Sequence, residues 1–205
     1  MSERFQSRFP SYDVLDKRHS PSWNEQTRAV IDRRLHQIPE RQFFTEREWA
    51  ILHAVCARLI PQPDRPQNAV PIVPFIDERL HRNIGSGYRY EEMPPQRKAW
   101  RQGIAAIDDE AHLRWRSGFC GLPANQQDAT LRAIQHGDVR SPEWAGLPAR
   151  RFFKSVLLRE AVSVYYAHPA AWSEIGFGGP AAPRGYVRLA SDRRDPWEAE
   201  ERYER

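Results

Sequence analysis

Apolar positions recur every three to four residues through most of the 205-residue chain, and several successive two-residue alternations, the mark of a sheet, do not occur. That period predicts amphipathic helices. Residues 1 to about 20 are polar, with aromatics scattered among Arg and Ser, and read as an extended arm. A first helix is predicted over Ser22 to His36 with Val30, Ile31 and Leu35 as its stripe. In "FFTEREWAILHAVCARLIPQP" Thr45 and Glu48 form a capping box, Phe44 can staple against Trp49, and Trp49, Leu52, Cys56 and Leu59 fall at helical spacing before Pro61 and Pro63 end the run. Another helix is predicted from about Pro74, with Phe75, Ile76 and Leu80 inward, and "GSGYRYEEMPP" is a loop. From Pro95 to about Trp115 the stripe is Trp100, Ile104, Ile107 and Ala111. "ANQQDATLRAIQHGD" reads as a short helix closed by Gly137, followed by a turn at Ser141-Pro142-Glu143. The longest late helix is predicted over Pro148 to His168, burying Phe152, Phe153, Val156, Leu157, Ala161 and Val164, and Pro169 should stop it. The fold class is therefore all-α: an irregular multi-helix bundle with an extended N-terminal arm at 1–20, one helical domain over 21–188, a Gly/Pro-rich segment near its end, and a charged tail at 189–205.

The composition adds limits to this picture. An apolar content of 40% is enough for a sizeable core. The 31 basic and 27 acidic residues, net +4, are interspersed rather than gathered in a block, so a solvated surface is expected and no nucleic-acid partner. No apolar run reaches the roughly 20 residues of a membrane span. The first residues carry no secretory h-region, which leads us to expect a cytoplasmic protein. Cys56 and Cys120 are too far apart for a CxxC pair and read as core thiols, with a disulfide between them left open.

Unusual residues concentrate in "YYAHPAAWSEIGFGGPAAPRGY", residues 165–186. Gly176, Gly178 and Ala181 match the spacing of a dinucleotide fingerprint, but that loop must join a strand to a helix, whereas here a helix precedes it and Pro180, Pro183 and Gly185 break any helix after it. A metal or acid/base site would draw on Glu160 and His168, with Glu174 or Asp138 as a third group. The first two lie eight residues apart, about 12 Å along a helix at a rise of about 1.5 Å per residue. No HExxH, GxSxG or phosphate-loop motif accompanies them. The structural alternative makes Glu160 a buried acid satisfied by Tyr, Arg or backbone donors and His168 a cap on exposed helix carbonyls. For the loop itself the reading is a partner interface or a strap over the chain's own core, carried by Tyr166, His168, Trp172, Phe177, Gly178, Gly179, Pro180, Arg184 and Tyr186. Glycine permits close backbone approach, proline lowers the ordering cost, and aromatics and Arg are favoured at hot spots.

At this segment a resemblance becomes specific. "FFTEREWAILHAVCARLIPQPD", "GDV" followed by a Trp, and "FFKSVLLREAVSVYYAHPAAWSEIGFGGPAAPRGYVR" resemble the gluconate 2-dehydrogenase subunit 3 family over about residues 43–188. These are small subunits of bacterial FAD-dependent sugar and polyol dehydrogenases. The resemblance implies an all-α, non-catalytic accessory subunit that binds a large flavoprotein of the glucose-methanol-choline type and supports its maturation or stability. It implies no cofactor in this chain, FAD in the partner, and a cytochrome c subunit as a further candidate partner. Familiar family members carry an N-terminal twin-arginine signal, and residues 1–42 show none, so a periplasmic location is expected only through export with a signal-bearing partner. The alternative is a stand-alone helical enzyme or metalloprotein using Glu160, His168 and nearby carboxylates.

Overall fold

The computed structural model describes residues 8–63, 65, 69–85, 87 and 89–200. Helices α1 (Glu25–His36), α2 (Glu46–Leu59), α3 (Ile72–His81), α4 (Gln96–Trp115) and α5 (Ala124–His136) follow one another along the chain. A last long run comprises α6 (Ala149–Arg151), a π-helical stretch at Phe152–Leu158 and α7 (Arg159–Ala167), and α8 (Pro169–Glu174) follows. The described residues thus form an all-α fold, with only an isolated bridge between Trp23 and Ala182. They divide into a central unit, Pro39–Val164, and a terminal unit made of the residues up to Ile38 and those from Tyr165 onward.

In the central unit the helix boundaries follow their sequence signals. Thr45 accepts from the Glu48 amide and Glu48 returns a bond to the Thr45 amide, closing the capping box. Gly137, at φ +75°, closes α5, a conformation that costs glycine nothing. The core is built from Leu52, Val55, Ile76, Leu80, Trp100, Ile104, Ile107, Ile134 and Leu157, all buried. Trp49, Leu59, Phe75 and Val156, expected inward, are only half-buried. The buried face of α2 is instead Ile51, Leu52, Val55 and Cys56. Phe44 packs edge-on against Phe43 and Trp100, at 4.9 and 6.1 Å between ring centroids.

The late helix, expected as one α-helix, is π-helical through Phe152–Leu158. The pattern agrees with this: the fully buried Phe152 and Leu157 stand five residues apart, and the wider turn of an i→i+5 helix brings such a pair nearer to one face than an α-helix would. Phe152 lies on α4 at Gly103, where a Cβ would come within 2.2 Å of the ring. Cys120, expected in the core, is exposed. It belongs to a 3-10 turn, Phe119–Gly121, whose three residues per turn point successive side chains apart, and Phe119 takes the buried direction.

In the terminal unit, residues expected in an extended arm fold. Val14–His19 form a 3-10 helix started by Asp13, which accepts from the Leu15 amide. Val14 and Lys17, three apart and so eclipsed on one face, are both buried. Helix α1 begins at Glu25, capped by Asn24, rather than at Ser22. Val14, Trp23, Ile31 and Trp172 make the small core, with Tyr12, Leu15 and Leu35 against it. Pro169 ends α7 as expected and also opens α8, because proline fits the first helical position.

Candidate functional site

The loop from Gly176 to Tyr186 is held by side chains of residues 12–24 in the same unit. Lys17 Nζ donates to the carbonyls of Gly178 at 2.5 Å and Pro180 at 3.2 Å. Trp23 Nε1 donates to the same Pro180 carbonyl at 2.7 Å, and the Asn24 amide donates to Ala182 O at 2.9 Å. From within the loop, Tyr186 Oη donates to Gly179 O at 3.0 Å. Gly179 has φ +63° and lies against Trp172 so closely that a Cβ would stand 3.0 Å from the indole. Trp172 is buried, donates its indole N–H to Tyr166 O at 2.7 Å, and meets Phe177 edge-on at 5.7 Å. Trp172, Gly178, Gly179 and Pro180 are thus bonded to or packed on residues of their own unit.

Other side chains of the segment point outward. Phe177 and Tyr166 are partly exposed, at 41% and 45%, and Tyr186 is exposed at 70%. Phe177, Tyr186, Pro180 and Ala182 line a groove of ≈ 460 Å³ whose opposite wall is Val30, Thr27 and Arg34 of α1. Val30, expected in the buried stripe of α1, is exposed here. Ile175, Val187 and Leu189 of the terminal unit are exposed as well. Arg184 lies apart from it: one guanidinium nitrogen donates to Val187 O and, at 2.6 Å, to Asp195.

The acid/base candidates are engaged elsewhere. Glu160 belongs to the central unit and pairs with Arg79 at 2.7 Å, its side chain 7% exposed. His168 belongs to the terminal unit, where its Nδ1 accepts from the Ala170 amide at 3.3 Å and its Nε2 lies 3.1 Å from Arg34 O. It thus caps the start of α8 and reaches α1, rather than capping α7 as expected, because Pro169 turns the chain immediately after it. Glu174 accepts from Tyr165 at 2.7 Å, and Asp138 from Arg114. Among the described residues no group of three or more His, Cys, Asp and Glu is placed to hold a metal ion. Burial pushes the Cys56 thiol up to about 12, far above the range in which a thiolate serves as a nucleophile.

Three residues of the site escape a sequence reading: Lys17, Trp23 and Val30. Trp23 carries a weak signal, a large aromatic just before a helix cap. Lys17 lies in "DVLDKRH", which resembles any solvated stretch, and only the i, i+3 relation to Val14 marks its face. Buried carboxylates of the central unit also have structural roles that no pattern announces. Asp77 accepts from the amides of Gln42, Phe43 and Phe44. Glu110 accepts from those of Arg140 and Ser141, and Asp108 from that of Phe119.

The model of the family described as gluconate 2-dehydrogenase subunit 3 matches residues 46–179 of the chain, more than half its length. No curated protein and no solved structure matches it.

Proposed function

The chain belongs to the gluconate 2-dehydrogenase subunit 3 family, and from that premise we propose that it is a non-catalytic small subunit. Its partner is a large FAD-dependent dehydrogenase of the glucose-methanol-choline type acting on sugars or polyols, whose maturation or stability it supports. Flavin and substrate chemistry reside in that partner. The observation that carries the proposal is the groove at Val30, Phe177 and Tyr186, where apolar side chains are left outside a core that is already closed beneath them. Clustered exposed apolar groups on a rigid support are the ordinary make-up of an interface centre. The strap below them is preorganised by the Lys17 and Trp23 bonds, so less ordering entropy is lost on association. The alternative of a stand-alone metalloprotein loses its ligands, since Glu160 is paired with Arg79 and both ring nitrogens of His168 are engaged.

The test is capture of a co-expressed dehydrogenase subunit by the tagged chain, with circular dichroism of each variant. Phe177→Ala and Tyr186→Ala should weaken capture by an amount equivalent to about 2 kcal/mol if they are central and leave the helical melt nearly unchanged. Gly178→Ala examines backbone approach separately, because its Cβ would meet only Lys17 Nζ, at an ordinary 3.6 Å. Undiminished capture by all three variants would refute this docking face.

A further inference from the structure

A second cavity of the terminal unit, ≈ 460 Å³, is lined among others by Lys17, Arg184, Arg188, Asp195, Trp197 and Glu198. Its charges do not balance. Lys17 is 3% exposed, and its ammonium bonds only the carbonyls of Gly178 and Pro180, with no ion pair among the described residues. The two carboxylates are already taken. Asp195 accepts from Arg184 at 2.6 Å and from the Leu189 amide at 2.8 Å. Glu198 receives Arg188 through both oxygens, at 3.1 and 3.0 Å. Three cations thus face two anions: Asp195 and Glu198 act on Lys17 only through space while each is bonded to an arginine, and a buried ammonium left short of counter-charge is disfavoured. Burial first, and then the like charge of Arg184, hold the Lys17 pKa below its ordinary value against the opposing pull of Asp195 and Glu198.

A second deficit lies at the same place. Arg184 uses one terminal nitrogen for both of its acceptors and lies over the Trp197 ring at 5.3 Å, while its Nε and Nη1 are buried with no hydrogen-bond partner among the described residues. Unsatisfied buried donors are rare in native structures, and an acceptor brought by a bound ion or ligand is one explanation of them. The missing charge and the missing acceptors call for the same thing. We propose that this cavity binds a small organic oxyanion, a carboxylate or a phosphate on a compact body, with Lys17 as counter-ion and Arg184 as donor. The volume lies in the range of about 300–1,000 Å³ usual for small-molecule sites. Phe177, Tyr186 and Trp197 supply apolar wall for the body of the ligand.

The experiment uses the full chain alone, so its outcome is independent of docking to a dehydrogenase. Inorganic phosphate, acetate and phenyl phosphate are titrated at constant ionic strength, followed by tryptophan fluorescence and thermal shift. The expected result is saturable binding, with phenyl phosphate tighter than inorganic phosphate; the ratio of acetate to phosphate identifies the preferred anion. Lys17→Met should weaken binding at least tenfold. Because Lys17 also clips the loop, Arg188→Gln is the second variant: its side chain is 51% exposed, so it should fold normally and bind several-fold more weakly. Absence of a saturable response to all three anions, or wild-type affinity in Arg188→Gln, overturns the proposal.

Discussion

In the central unit three buried carboxylates collect backbone amides, whereas the Gly/Pro-rich loop of the terminal unit is held by side-chain donors to its carbonyls. Asp77, Asp108 and Glu110 each sit where a loop presents free N–H groups just before or after a helix. Lys17, Trp23, Trp172, Arg34 and Tyr186 instead donate to carbonyls of the terminal unit. The difference comes from composition. Loops entering helices have amides to spare, while a segment rich in proline has lost amides and keeps its carbonyls. The terminal unit also has the smaller core, Val14, Trp23, Ile31 and Trp172, so its shape depends on polar clips, while in the central unit the acids supplement a large apolar interior.

The contrast can be broken most severely at Asp77, which is fully buried beneath three amides. Asp77→Ala should cost about 3 kcal/mol or more, since each stranded donor costs about 1–3 kcal/mol, and urea denaturation measures it. An unchanged midpoint would show that the central unit does not need its acids. Next is Gly103→Ala, whose Cβ meets the Phe152 ring at 2.2 Å. Overpacking of a tight core costs about 1–3 kcal/mol, and the helical melt should fall accordingly.

The corresponding change in the terminal unit is Gly179→Ala, where φ is +63° and the indole of Trp172 is 3.0 Å from the added methyl. A loss of about 1–2 kcal/mol is expected from the left-handed backbone, read best as faster amide exchange in α8. The smallest effect concerns acid. The hydrogen bond from Arg58 holds the Asp128 carboxyl below its ordinary value, and that from Arg18 does the same for Asp32. A folded pKa below the unfolded one gives stability that is present above about pH 4 and lost as pH falls through the folded pKa. Asp128→Asn should therefore flatten the fall of the urea midpoint between about pH 6 and about pH 3, and only slightly, because exposed pairs contribute little. A pH dependence identical to that of the parent chain would mean that this pair plays no part in it.

The sequence showed the α2 capping box, the Gly137 stop of α5 and the stripe of α4 because each rests on neighbours within a turn or on a regular period. The candidate loop was recognisable by composition and by family resemblance, but its two faces were not. Phe177 and Gly179 are two residues apart, and one looks outward while the other is pressed on Trp172. The π-helical turn agrees with the five-residue spacing of Phe152 and Leu157, which a search for a 3.6 period reads over.

By itself, then, the sequence determined the helical class, most helix limits, the family and the position of the unusual loop, because propensity, caps and periodicity act over a few residues. Only the tertiary structure decided that residues 14–24 hold that loop, with Lys17 and Pro180 brought together across 163 positions. Such a bond is chosen by which carbonyls remain unsatisfied after the chain has packed, and nothing local to either residue encodes the other.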